Sequence, residues 1–144
     1  MRYLRHVLLL ALLTGCSHDS TAPATIDGAY PLRRYRDLPL PAVVSEEPSH
    51  LVEITAGAIT LHGDLTFTDS YSFDRNDNGV LTTVVVACTG YWTPTETSPQ
   101  GGQLITLVET PVPSGCGDRG TAEWDHDKSL TIAWNALGLT QHRR

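Results

Sequence analysis

The chain has 144 residues and a formal net charge of −6 at pH 7, and 18% of its residues are charged. This length suits one small globular domain, and the composition and charge exclude a coiled coil, a collagen and a basic nucleic-acid-binding protein. The 40% of hydrophobic residues can form a core, whereas the 12 glycines and 9 prolines predict many turns.

Residues 1–15 have the pattern of a secretory signal peptide. Arg2 and Arg5 precede an apolar run at residues 7–13. A transmembrane helix needs roughly 20 apolar residues, so this run is too short to span a membrane. No later apolar stretch of the sequence approaches that length. We therefore expect the protein to be exported without a membrane-spanning segment.

The segment Leu13-Thr14-Gly15-Cys16 resembles the lipobox of bacterial lipoproteins. The resemblance implies that a diacylglycerol is attached to the Cys16 sulfur, that cleavage follows Gly15, and that the new amino group is acylated, for instance with palmitate. Several acyl chains would anchor the protein firmly in a membrane, because each buried CH₂ contributes about 0.8 kcal/mol. The alternative interpretation is an ordinary cleaved signal peptide followed by a chance cysteine.

The lipobox resemblance also implies a location in the bacterial cell envelope. Cleavage would leave 129 residues, and the loss of Arg2 and Arg5 would change the formal charge from −6 to −8. Ser17 follows the lipidated cysteine, and the enterobacterial sorting rule would then direct the protein to the outer membrane, facing the periplasm or the surface. We expect residues 16–25 to form a flexible tether and residues 26–144 to form the folded domain.

With Cys16 assigned to lipid, Cys88 and Cys116 are left as a pair in an exported protein, where oxidation is the expected fate. A disulfide that closes a loop of about 29 residues would stabilise the fold by about 3.6 kcal/mol in the chain-entropy model. The alternative is a metal site that uses both thiolates, but the sequence has no close CxxC pair and no histidine at zinc-like spacing.

Residues 65–74 show the clearest two-residue period of a β-strand. Leu65, Phe67, Tyr71 and Phe73 fall on one face, and polar side chains fall on the other. Asp69 interrupts the apolar face. It is expected to lie at a bulge, to pair with a donor, or to line a wet cavity.

Further β-rich segments follow the same pattern along the chain. They are residues 28–36, 50–55, 58–62, 80–92, 104–109, 121–126, 129–134 and 137–142. Turn signals separate them at Ala56-Gly57, Gly63-Asp64, Asn78-Gly79, Gly101-Gly102 and Asp127-Lys128. We therefore predict an all-β fold, an antiparallel up-and-down meander of about eight strands that closes into a small barrel.

Several short motifs resemble small bacterial lipoproteins with a lipocalin-like domain. They are Gly28-Ala29-Tyr30 with Leu32, Leu38-Pro39-Leu40-Pro41, residues 55–61, residues 65–68 and the ending from Leu130 to Arg144. The resemblance implies a lipocalin-like β-barrel and an anchor. It also implies that Tyr30 takes the place of the first-strand Trp of lipocalins and packs against Arg143 or Arg144 from the last strand.

The segment from Asp74 to Gly79 matches the first half of an EF-hand calcium loop, with Asp74, Asn76 and Asn78 as candidate metal ligands. Position twelve of such a loop would be Val85 instead of a bidentate glutamate. The favoured interpretation is a plain hairpin turn, since Asn78-Gly79 readily adopts positive φ.

The sequence contains no catalytic motif such as HExxH, GxSxG or a Walker loop. We expect a non-enzymatic protein that is monomeric and uses no cofactor. The membrane, through the N-terminal lipid, is the expected partner, and no nucleic acid is expected to bind.

Aromatic side chains are candidates for a ligand cavity inside the barrel, although a barrel of eight strands has room for little more than its own side chains. The candidate set is Tyr30, Phe67, Asp69, Tyr71, Trp124 and Trp134. Glu46 and Glu47 are expected in an exposed loop between Pro41 and Pro48. The sequence thus predicts a binding or structural module of the envelope. The alternatives are a carrier of a small hydrophobic ligand and a module that binds calcium weakly or a protein partner in the manner of an inhibitor.

Overall fold

The computed structural model describes residues 25–111, 116–125 and 128–144. The predicted signal peptide, the lipidation site Cys16 and nearly all of the tether lie outside these residues. Within the described part, no helix is long and apolar enough to cross a membrane.

The described residues form ten β-strands. They are β1 Gly28–Tyr35, β2 Leu38–Pro39, β3 Ala42–Glu47, β4 His50–Leu61, β5 Thr66–Asp77, β6 Val80–Thr97, β7 Gln103–Glu109, β8 Arg119–Asp125, β9 Ser129–Trp134 and β10 Leu139–Arg143. Apolar residues alternate with polar ones along most of them, as the two-residue period of a half-buried strand requires.

Eight of the strands close into an antiparallel barrel. From β4 to β10 each strand pairs with the next along the chain, and β1 closes the ring by pairing with both β10 and β4. The two short strands β2 and β3 are additions that pair with β1 and β4. The prediction of an all-β up-and-down meander forming a small, lipocalin-like barrel is therefore confirmed.

The two halves of β1 pair with different strands. Residues 28–31 pair with residues 58–61 of β4, whereas residues 32–35 pair with β10. The first half of β4 pairs instead with β3, so β1 and β4 separate toward one end of the barrel. We call this end, where β1, β7 and β9 finish, the mouth, and the opposite end, where β1 begins, the base.

Three expectations about local structure are wrong. Ala56-Gly57 is not a turn, because the two predicted strands around it form the single strand β4, with a register shift between Ile54 and Ala56. The expected acidic loop with Glu46 and Glu47 is largely the strand β3. Leu65 has a φ of 68° and precedes β5, which leaves its side chain exposed instead of on the apolar face.

The base half of the barrel is filled by its own side chains. The buried cluster comprises Tyr30, Ile59, Leu61, Phe67, Trp92, Ile105, Leu107, Ala122, Trp124, Leu130, Ile132 and Trp134. A smaller cluster of Leu32, Tyr35, Ala42, Ile54 and Tyr71 lies nearer the mouth. Burying one side chain of this size contributes about 1.5–3 kcal/mol, so the base cluster is the main source of stability.

Tyr30 and Arg144 make the contact that the lipocalin resemblance implies. The Tyr30 ring is fully buried, and the guanidinium carbon of Arg144 lies 4.7 Å from its centroid. The Tyr30 hydroxyl donates a hydrogen bond of 2.5 Å to the carbonyl of Ile26. The last residue of the chain thus covers the first strand at the base, in a cation–π contact.

Candidate ligand cavity

A cavity of about 300 Å³ lies at the mouth of the barrel. Most of its wall is apolar or aromatic, formed by Val44, Tyr71, Phe73, Val86, Trp134, Ala136 and Leu137. Cys88, Glu109 and Asp118 complete the lining. A volume of this order with few polar groups is typical of sites for small molecules.

The alternation of β5 and β6 explains how these side chains come together. On β5, Phe73, Tyr71 and Asp69 point inward in that order from the mouth toward the buried Phe67. On β6, Cys88 lies directly opposite Asp69. Asp69 therefore lies deeper in the barrel than Tyr71, toward the filled core, and is not itself among the residues that line the cavity.

Asp69 is the most unusual group in this region. It is only 4% exposed, and neither carboxylate oxygen has a hydrogen-bond partner among the described residues. Burial, first, and the like charge of Glu109, second, together raise the pKa of Asp69 to about 7. The register between β5 and β6 is continuous here, so Asp69 does not lie at a bulge. The geometry excludes the bulge among the three expectations for Asp69, and Asp69 is not among the residues that line the mouth cavity.

The acidic groups near Asp69 are held by backbone amides. Oε2 of Glu109 accepts hydrogen bonds from the amides of Gly117 (2.8 Å) and Asp118 (2.9 Å). Asp118 in turn accepts hydrogen bonds from the amides of Arg119, Ala136 and Leu137. These contacts fix the chain segments on either side of the mouth. The described lining residues include no lysine, arginine or histidine.

The predicted disulfide between Cys88 and Cys116 is present in the structure, with the two Cα atoms 5.6 Å apart. It ties residue 116, next to the amides that bind Glu109, to the wall of the barrel. Cys88, Glu109 and Cys116 bring their potential metal-ligating atoms within 4.8 Å of one another. A thiolate is the form of cysteine that binds metals, so the disulfide occupies the sulfurs that the alternative metal site would need.

The six residues predicted to line a cavity fall into two groups. Tyr71 and Trp134 line the cavity, and the Trp134 indole N–H donates to the Tyr71 hydroxyl at 3.2 Å. Asp69 lies behind them. Tyr30, Phe67 and Trp124 belong to the base cluster and do not line the cavity, whereas Trp134 belongs to that cluster and also lines the cavity.

Sequence reasoning missed Glu109 and Asp118. Ile105, Leu107 and Glu109 are every second residue of β7 and all three are buried. An acidic residue on an apolar strand face is the same sequence signal that singled out Asp69. Asp118 offered no such signal, because it lies outside any strand and its role depends on backbone amides distant in sequence.

The three candidate calcium ligands lie on the hairpin between β5 and β6. Asn78 and Gly79 have φ values of 53° and 86°, as the turn interpretation requires. Oδ1 of Asp74 accepts a hydrogen bond from the Thr83 hydroxyl, and Oδ1 of Asn76 accepts one from the Gly79 amide. Two of the three side chains thus have partners within the hairpin itself.

His142 lies near Tyr71, fully enclosed in the barrel. One ring nitrogen lies 3.0 Å from the Tyr30 carbonyl oxygen and the other 3.1 Å from the Thr140 hydroxyl. The neutral ring satisfies both contacts by donating to the carbonyl and accepting from the hydroxyl. Burial lowers the pKa of His142 to about 4.

The depressed pKa of His142 predicts a loss of stability in acid. Between pH 6.5 and about 4 the unfolded chain binds a proton at His142 that the folded protein excludes, so the stabilising contribution falls as the pH falls. As the pH is lowered over this range, we expect the free energy of unfolding of the wild type to fall by about 3 kcal/mol relative to that of His142→Gln. Urea unfolding of both proteins at pH 7 and pH 4 measures this difference, and the same pH dependence in both would contradict the prediction.

No protein-family model matches the chain, and neither the curated proteins nor the solved structures include a significant match.

Proposed function

We propose that the protein is a lipid-anchored, non-enzymatic module of the bacterial cell envelope that binds a small, mainly apolar ligand in the mouth cavity. The observation that carries this proposal is the contrast between the two halves of the barrel. Buried side chains pack together in the base, whereas the mouth keeps a cavity of about 300 Å³ with apolar and aromatic walls. A purely structural barrel gains nothing from that unfilled space, because voids reduce stability.

The position of the cavity suits an anchored binding protein. The described chain enters the barrel at the base, where Ile26 packs against the core and β1 begins. The tether to Cys16 would therefore leave from the base. An anchored barrel would present its mouth away from the attachment point, open to ligands in the aqueous space.

Enlarging one side chain of the cavity wall tests the proposed function. Val86 points into the cavity, whereas its neighbour Val85 is 63% exposed on the outer face of the same strand. We expect Val86→Phe to weaken binding of the neutral fluorescent probe N-phenyl-1-naphthylamine by about tenfold, because the larger ring occupies ligand space.

Val85→Phe is the matched control for this experiment, and it should leave the probe affinity unchanged. Fluorescence titration of the three proteins measures the affinities, and circular dichroism checks that each is folded. Absence of probe binding to the wild type, or equal effects of the two substitutions, would contradict the proposed cavity.

A further inference from the structure

We infer that the mouth cavity binds amphiphilic amines, with the ammonium group of the ligand held by Glu109 and Asp69 and its apolar part held by the aromatic and aliphatic walls. This inference rests on the proposed function and names the chemical class of its ligand. The carboxylate of Glu109 lines the cavity, and Asp69 lies deeper in the barrel, close enough for the two carboxyl groups to interact.

The oxygens of Asp69 accept no hydrogen bond from a described N–H or O–H group, and the neighbouring carboxyl of Glu109 can bond to Asp69 only through a shared proton. Buried polar groups are almost always hydrogen-bonded, so an arriving donor can take the place of that shared proton. Glu109 uses two amide hydrogen bonds, about half of the acceptor capacity of a carboxylate. A primary ammonium group has three N–H donors and can serve both carboxyl groups at once.

The charge around the cavity favours a cation. The titratable groups that face Asp69 are Glu109 from β7, Asp118 from the segment before β8 and Tyr71 from β5 itself, and His142 lies in edge contact with the Tyr71 ring. None of these carries a positive charge at neutral pH. The rings of Tyr71, Phe73 and Trp134 add surfaces on which an ammonium group is attracted to the π face.

The apolar wall distinguishes an amine from a bare metal ion. Val44, Val86 and Leu137 offer no ligand atoms to a hard cation, which takes oxygen ligands and water. They do offer burial to an alkyl or aryl group, whose transfer from water contributes about 25 cal/mol per Å². The combination of acidic inner end and apolar wall is therefore complementary to a molecule with both parts.

Binding of an amine should release a proton from the site. Below about pH 7 the carboxyl of Asp69 is protonated, and an arriving ammonium group favours its ionised form. The step is an exchange in which the protonated acid loses H⁺ to solvent and the carboxylate pairs with the R–NH₃⁺ group. Amine affinity should consequently rise with pH between about 5 and 8.

Three ligands of equal chain length test this inference by isothermal titration calorimetry on the purified protein. We expect octylammonium to bind about tenfold more tightly than octanol at pH 8, and octanoate to bind more weakly than octanol. At pH 6, heats measured in buffers of different ionisation enthalpy should show net proton release for octylammonium and none for octanol. In Asp69→Asn the preference for the amine over the alcohol should shrink several-fold, whereas Asp74→Asn, on the same strand, should retain it.

The outcomes separate this inference from the proposed function. If the neutral naphthylamine probe binds but octylammonium has no advantage over octanol, the amine specificity is wrong and the cavity stands. If neither the naphthylamine probe nor octylammonium binds, the proposed function is contradicted as well. If calcium chloride or ethylammonium binds as tightly as octylammonium, the site recognises charge alone, and the amphiphilic class is overturned.

Discussion

Replacing Asp69 with asparagine should stabilise the protein at pH 8 by about 4 kcal/mol, which is the pKa shift of Asp69 converted to free energy, although most core substitutions destabilise. Asp69 has a pKa raised from 3.8 to about 7. Between these values the folded state binds a proton that the unfolded chain has lost, so stability falls as the pH rises through this range. Asparagine has nearly the shape of the neutral acid and no charge to bury, which removes the cost of ionisation.

The pH dependence of this effect identifies its cause. The gain from Asp69→Asn should be largest above pH 7 and should approach zero below about pH 3, where the wild-type carboxyl is neutral in both states. Urea unfolding of the wild type and the variant across this range measures the gain. Asp74→Asn is the matched control, because Asp74 is partly exposed and bonded to Thr83, and no gain is expected there. A constant gain at every pH would rule out the ionisation of Asp69 as its source.

The contributions of Asp69 and His142 to the free energy of unfolding change with pH in opposite directions. The Asp69 contribution falls as the pH rises from about 4 to 7, whereas the His142 contribution rises between about 4 and 6.5. The two slopes offset each other in the wild type, which should show a nearly flat stability profile over this range. The Asp69→Asn variant should expose the rising contribution of His142.

The barrel could be predicted from the sequence because its signals are local. Alternation of apolar and polar residues sets which face of a strand is buried, and turns such as Asn78-Gly79 set where strands reverse. Ala56-Gly57 gave a false turn signal because glycine also occurs where a neighbouring side chain approaches closely. A Cβ atom at Gly57 would lie 2.6 Å from the ring of Tyr71, so the glycine makes room for that ring within a continuous strand.

The site was only half predictable because it depends on contacts between distant segments. Asp69 was visible as a charged residue on an apolar face, and the two cysteines were visible as a pair. The sequence could not show that β7 places Glu109 near Asp69, nor that Gly117 and Asp118 fold back to bind it. Nor could periodicity show that Phe67 lies in the filled base while Tyr71 lines an open cavity. The open cavity lies at the end of the barrel where β1 and β4 no longer pair with each other.

Removing the disulfide should have an effect nearly as large as that of Asp69→Asn, with the opposite sign. The bond joins residues 28 positions apart, and the chain-entropy model assigns about 3.6 kcal/mol to closing a loop of this length. We expect the double variant Cys88→Ala/Cys116→Ala to lose about this much in free energy of unfolding. The local effect should centre on the mouth, because Cys116 is followed directly by the two amides that bind Glu109. Amide hydrogen exchange at Gly117 and Asp118 should accelerate in the variant well before the base of the barrel responds.

The reduced wild type provides the control for this last prediction, since reduction breaks the bond without changing the sequence. Dithiothreitol should lower the urea midpoint of the wild type toward that of the double variant and leave the variant unaffected. Because the freed segment supplies the donors that position Glu109, reduction should also lower the advantage of octylammonium over octanol while octanol still binds. Identical urea midpoints for the oxidised and reduced wild type would show that the disulfide contributes nothing to stability. An unchanged amine preference after reduction would show that Glu109 keeps its position without it.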